Sequence, residues 1–125
     1  MGFWIFMLVN NLVLPVLMLV FGRVFQTKPP AEINSFYGYR TRMSSLNQDT
    51  WEYAHLYFGK LWLRMGFGML LLTGISMLSL YGKDHKTVGT AGGAVALVQI
   101  LLLLLSVGLT ERKLREKFDA QGHMR

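Results

Sequence analysis

At 125 residues the chain has the length of one domain, and with 52% of it hydrophobic and 16% charged, it has too little polar surface to cover a water-soluble fold. The formal net charge of +6 does not mark a nucleic-acid binder, because the basic residues flank apolar runs and no soluble basic segment exists to carry them. With no cysteine, a disulfide framework and a thiolate metal site are both excluded.

Charges are absent from Met1 to Gly22, from Met65 to Gly82 and from Thr87 to Thr110, runs of 22, 18 and 24 residues. A hydrocarbon core of about 30 Å takes roughly 20 apolar residues as helix. The expected fold is therefore all-α: an integral membrane three-helix bundle forming a single domain over residues 1–125. Span one covers about 3–24, span two about 61–82 and span three about 88–109, with an interfacial segment at 25–60 and a tail at 110–125. Leu61, Trp62 and Leu63 lengthen the short middle run, and the long stem of Arg64 lets its charge snorkel to the headgroups.

The first run has neither a basic start nor a small-x-small cleavage site after it, so it is expected to be a retained helix rather than a signal peptide. Asn10 and Asn11 fall at mid-depth. An uncompensated amide is costly in hydrocarbon, so at least one is expected to face another helix and bond there. The competing role is a polar pocket inside the bundle. Pro15 removes a backbone donor and is expected to kink the helix.

Residues 23–33 read as a linker, since Pro29 and Pro30 favour an extended path. Tyr37, Gly38 and Tyr39 read as a turn with aromatics suited to the headgroup zone. Ser45 with Gln48 makes a plausible capping box and Asn47 is a competing N-cap. Asp49 and Glu52 suit the positive end of a helix dipole. Trp51, His55, Phe58 and Trp62 recur at spacings of 4, 3 and 4, which stacks them on one face. This predicts an amphipathic interfacial helix between spans one and two that runs into span two, bending near Gly59.

Span two is rich in small and hydroxyl residues, including Gly66, Gly68, Thr73, Gly74, Ser76 and Ser79, which let helices approach closely in lipid. Lys83 to Lys86 is a tight polar turn. Gly89 and Gly93 form a Gly-x-x-x-Gly pair, a helix-contact signature, and Gln99 is a lone mid-span amide. The tail is expected to form a short C-terminal helix, capped by Thr110 and supported by Glu111–Arg115 and Arg112–Glu116 pairs. Leu114 and Phe118 share one of its faces, and Gly122 is expected to stop it.

Three spans place the 83–86 turn with the N-terminus, and the 23–64 segment with the tail. Eleven of the thirteen Lys and Arg residues then fall on the second side. The positive-inside rule predicts an outside N-terminus, with the interfacial segment and tail cytoplasmic.

For chemistry, His55, His85 and His123 are far apart in sequence, and no HExxH, GxSxG or P-loop pattern occurs. No catalytic residue, metal ligand or cofactor is assigned. What remains is a cluster of donors beside aromatic faces: Tyr39, Arg40, Thr41, Ser44, Asn47, Trp51 and His55. At headgroup level it suits an anionic group, such as a lipid phosphate or a peptide carboxylate. The competing role is a structural clamp in which Arg40 satisfies carbonyls and seats the segment.

At these residues the chain resembles the SdpI family of bacterial membrane proteins. The resemblance rests on Tyr39-Arg40-Thr41 with Ser44, on Trp51, His55 and Gly59-Lys60, and on the tail pattern Thr110-Glu111, Leu114, Phe118-Asp119 and Gly122. The family takes its name from an immunity protein against a secreted toxic peptide, which has additional N-terminal membrane helices. The resemblance implies a membrane protein conferring immunity or resistance to a toxic or antimicrobial peptide, with a signalling role for its cytoplasmic segment. Its implied partners are a toxic peptide or a regulatory membrane protein; the apolar runs add the bilayer, and the Gly89–Gly93 pair adds further copies of the chain as a homo-oligomer. Two other functions stay open from the residues alone: a structural or assembly module oligomerising through Gly89 and Gly93, and an enzyme or transporter acting on a lipid-like or peptide substrate at the inner leaflet.

Overall fold

A computed structural model describes residues 2–125. It contains three α-helices: α1 (Gly2–Thr27), α2 (Gln48–Ser79) and α3 (His85–Lys117). Each is long and apolar enough to cross a membrane. At 1.5 Å per residue they measure about 39, 48 and 50 Å, so all three exceed the hydrocarbon thickness of about 30 Å. The outward faces carry large apolar side chains, among them Phe6, Leu71, Ile75, Leu78 and Leu104. Such a continuous apolar surface is what lipid, rather than water, solvates.

α1 runs one turn further than the expected linker boundary. It stops only where Pro29 disfavours helical backbone at Lys28, whose N–H still bonds to Val24 O at 2.6 Å. α2 is continuous: the amphipathic stretch forms its first turns rather than a separate helix. Its N-cap is Asn47, not Ser45. The Asn47 side chain accepts from the Thr50 N–H at 2.9 Å, and the Thr50 hydroxyl accepts from the Asn47 N–H at 3.1 Å. Gln48, the partner a box on Ser45 requires, is instead turned to Ala31 O, to which it donates at 2.6 Å, whereas Thr50 stands at N3 of Asn47 and completes the box.

α3 likewise absorbs the tail helix, with Thr110 in its interior, donating to Ser106 O at 2.8 Å. It ends at Lys117, earlier than Gly122. Phe118 turns extended into the core, and the Asp119 carboxylate accepts from the N–H groups of Gln121 and His123 at 3.0 and 2.9 Å. That local bonding competes with continued helix. The final residues fold back as a hook, with Phe118 bridging to Met124 and Gly122 at φ +85°.

α1 packs most extensively on α2. The two backbones nearly touch: a Cβ on Gly22 would lie 2.8 Å from Leu63 N and 2.9 Å from Gly59 O. Apolar cores lie at the two ends of the bundle. Phe25, Ala54, Phe58, Leu114 and Phe118 cluster where the 28–47 segment and the hook lie, the loop end. Met7, Met77, Leu80 and Val88 cluster at the other, the turn end.

Between the cores lies a polar layer. The Asn11 amide donates to Gly92 O at 3.1 Å, and Gln99 donates to Asn11 O and to the Thr73 hydroxyl, both at 2.8 Å. All three side chains are buried. Asn10, beside Asn11, is exposed. On α3 it is Gly92 that meets α1, where an added Cβ would lie 2.6 Å from Met7 Cε. Gly89 lies near Phe3, and Gly93 has open space around it.

Candidate functional site: a strap across the loop end

The segment between α1 and α2 crosses the loop end of the bundle as a strap. Pro29 and Pro30 keep it extended, and the Trp51 indole pins it by donating to Pro30 O at 2.8 Å. The Asn34 carbonyl then accepts from the N–H groups of Phe36 and Tyr37 at 2.9 and 2.7 Å. This Asx turn leaves Phe36 92% exposed.

Gly38 follows at φ +113°. A side chain there is barred twice, by that backbone angle and by space, since its Cβ would fall 2.5 Å from His55 Nε2. The close approach lets the next amide, Tyr39 N–H, donate to His55 Nε2 at 2.9 Å, while His55 Nδ1 meets Trp51 O at 2.7 Å. Nδ1 must therefore carry the proton and Nε2 the lone pair. This is a neutral imidazole in a single tautomer, since a proton on Nε2 would oppose the Tyr39 amide.

Tyr39 turns inward and is buried. Its ring lies 4.4 Å from that of Phe58, and its hydroxyl donates to Glu111 Oε1 at 2.7 Å. Burial, together with the hydrogen bond to Glu111 and the charge of that carboxylate, pushes the phenol well above its usual range. It stays protonated and a donor.

The Ser44 hydroxyl donates to Tyr39 O at 2.9 Å and accepts from Thr41 N–H at 2.9 Å. The Thr50 hydroxyl donates to Ser44 O at 3.0 Å, and Asn47 Nδ2 donates to Gly122 O at 2.8 Å. Strap, start of α2 and C-terminal hook are thereby joined in one network.

Tyr39, Thr41, Ser44, Asn47, Trp51 and His55 thus come together and direct polar groups at one another, at backbone or at Glu111. Arg40 differs. It is exposed, and its guanidinium bonds Ser35 O with one nitrogen. Asn10, Asn11, Gly89 and Gly93 lie elsewhere on the bundle. Among the described residues no group of three His, Asp or Glu side chains comes together to hold a metal.

Beside the strap is an open groove of about 470 Å³, lined by Phe21 and Phe25 of α1, Phe58 and Trp62 of α2 and Val107 of α3, with Tyr37 to Thr41 along its rim. Sequence reasoning missed this groove and missed Glu111 as the partner of Tyr39. Helical spacing pairs Glu111 with Arg115, whereas the ion pairs that form on this helix join Glu116 to Arg112 at 3.4 Å and to Lys113 at 3.7 Å. The available signal was a phenol in a segment whose only route to burial requires a partner for its hydroxyl.

A family model described as the SdpI/YfhL protein family matches residues 31–110, which take in most of the strap, all of α2 and most of α3. The chain is 31% identical over 110 residues to a protein of Bacillus subtilis (strain 168) described as uncharacterized protein YfhL, covering 85% of this chain and 86% of that one. No solved structure matches the chain.

Proposed function

The chain belongs to the SdpI/YfhL family, and from that premise we propose that this multi-pass membrane protein protects a bacterial cell membrane against a toxic or antimicrobial peptide. The observation that carries the reading is that the family match takes in most of the strap, all of α2 and most of α3. In this reading the strap and the hook face the cytoplasm and the N-terminus lies outside, as eleven basic residues against two favour. Tyr39, Thr41, Ser44, Asn47, Trp51 and His55 hold the strap in shape. The exposed face of the strap, where Arg40 stands, is the surface this reading offers to the bilayer and to a partner at it. The alternative reading, an assembly module that self-associates through Gly89 and Gly93 of α3, is supported by the open space around Gly93, while Gly89 lies against Phe3 of α1.

The test is a deletion strain and its complemented parent, challenged with membrane-active peptides, including those encoded beside the gene. The reading expects greater sensitivity in the deletion, restored by the wild-type chain. Equal sensitivity of the two strains to every peptide contradicts it.

A further inference from the structure

Tyr39 and Thr41 belong to the hydrogen-bond network, but the open groove they rim is not filled by it, and its volume of about 470 Å³ lies within the range of small-molecule clefts. Four aromatic side chains and Val107 wall it, and no carboxylate lines it. Glu111 is engaged by the Tyr39 hydroxyl. On the rim Arg40 spends one guanidinium nitrogen on Ser35 O, which leaves N–H groups for an anion, because a guanidinium carries five.

Next to that rim the strap exposes Phe36 (92%), Tyr37 (42%) and Ile33 (39%). An apolar and aromatic tip of this kind belongs at the boundary between headgroups and acyl chains. The groove therefore opens where lipid is the neighbour. We propose that it holds an acyl chain of an anionic phospholipid from the leaflet at the loop end, with the lipid phosphate on Arg40.

Two arguments select a lipid over a peptide. An inserted peptide would bring backbone N–H and C=O groups that need partners, and walls of aromatic carbon offer none. A phospholipid presents one phosphate above an apolar chain, which is the order in which the single cation and the apolar walls are arranged. The inference goes beyond the resistance reading and survives its failure, since a chain that protects nothing would still retain lipid.

The experiment is native mass spectrometry of the full-length chain, delipidated in detergent and then offered phosphatidylglycerol, phosphatidylcholine of the same acyl chains, or glycerol phosphate alone. The expected result is one phosphatidylglycerol retained per chain, in preference to phosphatidylcholine, and no retention of glycerol phosphate. Val107→Phe and Phe21→Trp, which both fill the groove, should each cut retention about tenfold, and Val98→Phe, on an outward-facing position of α3, should leave it unchanged. Arg40→Gln should abolish the preference between the two lipids while an acyl chain is still held.

Circular dichroism identifies which filled variants remain helical, and only those are scored. If neither filled variant folds, the Arg40→Gln comparison decides. The inference is overturned if the wild type retains no lipid, if a folded filled variant retains as much as the wild type, or if Arg40→Gln keeps the preference. Retention of glycerol phosphate alone, or of an added apolar peptide in place of lipid, also overturns it.

Discussion

The hydroxyl of Tyr39, on the strap, donates to Oε1 of Glu111, on α3, at 2.7 Å across 72 positions of sequence. One bond thus ties the loop end to the last helix. Tyr39→Phe removes the donor and leaves a partly buried carboxylate without it, which should cost about 1–3 kcal/mol. Glu111→Gln keeps an acceptor and should cost less. A double-mutant cycle on thermal unfolding in detergent measures the coupling, and additive losses would refute it.

The α1–α2 crossing depends on bare backbone. Gly22→Ala places a Cβ against Leu63 N and Gly59 O, both of them main chain, and should destabilise by about 1–3 kcal/mol. Gly93→Ala meets nothing within the chain and should leave stability unchanged or raise it, by up to about 1 kcal/mol. If α3 is the self-association face, Gly93→Leu should reduce oligomer size in detergent without loss of helix. An unchanged size would remove the alternative reading.

Asn47 serves two elements at once, capping α2 and holding Gly122 O. Asn47→Ala should therefore cost more than an ordinary cap, towards 2 kcal/mol or above. Amide hydrogen exchange should speed up at Thr50 and across the hook together. Faster exchange at Thr50 alone would show that the hook does not depend on this residue.

The hook should also respond to acid. The Asp119 carboxyl is held below its ordinary value, first by the His123 N–H, with the Gln121 N–H and the His123 and Arg125 charges adding to this. A group whose folded value is depressed contributes stability above its unfolded value, and that contribution is lost as pH falls through the folded one. Exchange protection at Gln121 and His123 should hold from neutral pH down to about 4 and fall below it. Protection that fails near pH 6, or that Asp119→Ala leaves unchanged at neutral pH, would contradict this origin.

Much of the architecture is legible before folding. Three charge-free runs identify the helices, because lipid penalises any charge within them. The polar layer is legible only in part. Asn10 and Asn11 both read as polar at mid-depth, but which of them faces inward depends on the rotation of α1 against two other helices. Asn11 meets Gly92, and Gln99 meets Thr73, across elements that no single-helix spacing relates.

The same limit explains the glycines. Gly89 and Gly93 form a recognisable pair within one helix, whereas Gly22 and Gly59 meet from different helices and share no pattern. In the strap, Tyr39 read as a headgroup aromatic because its composition is interfacial. Its burial comes from Glu111 and Phe58, which tertiary packing alone brings to it.

In the proposed orientation the strap and the hook lie together on the cytoplasmic side, opposite the 80–84 turn. The chain has no cysteine, so single cysteines report without background. Ser35→Cys in the strap, Gln121→Cys in the hook and Lys83→Cys in the turn can each be probed in intact cells with a membrane-impermeant maleimide. The account predicts labelling of Lys83→Cys alone, with the other two labelled only after permeabilisation. Labelling of Ser35→Cys or Gln121→Cys in intact cells would contradict it.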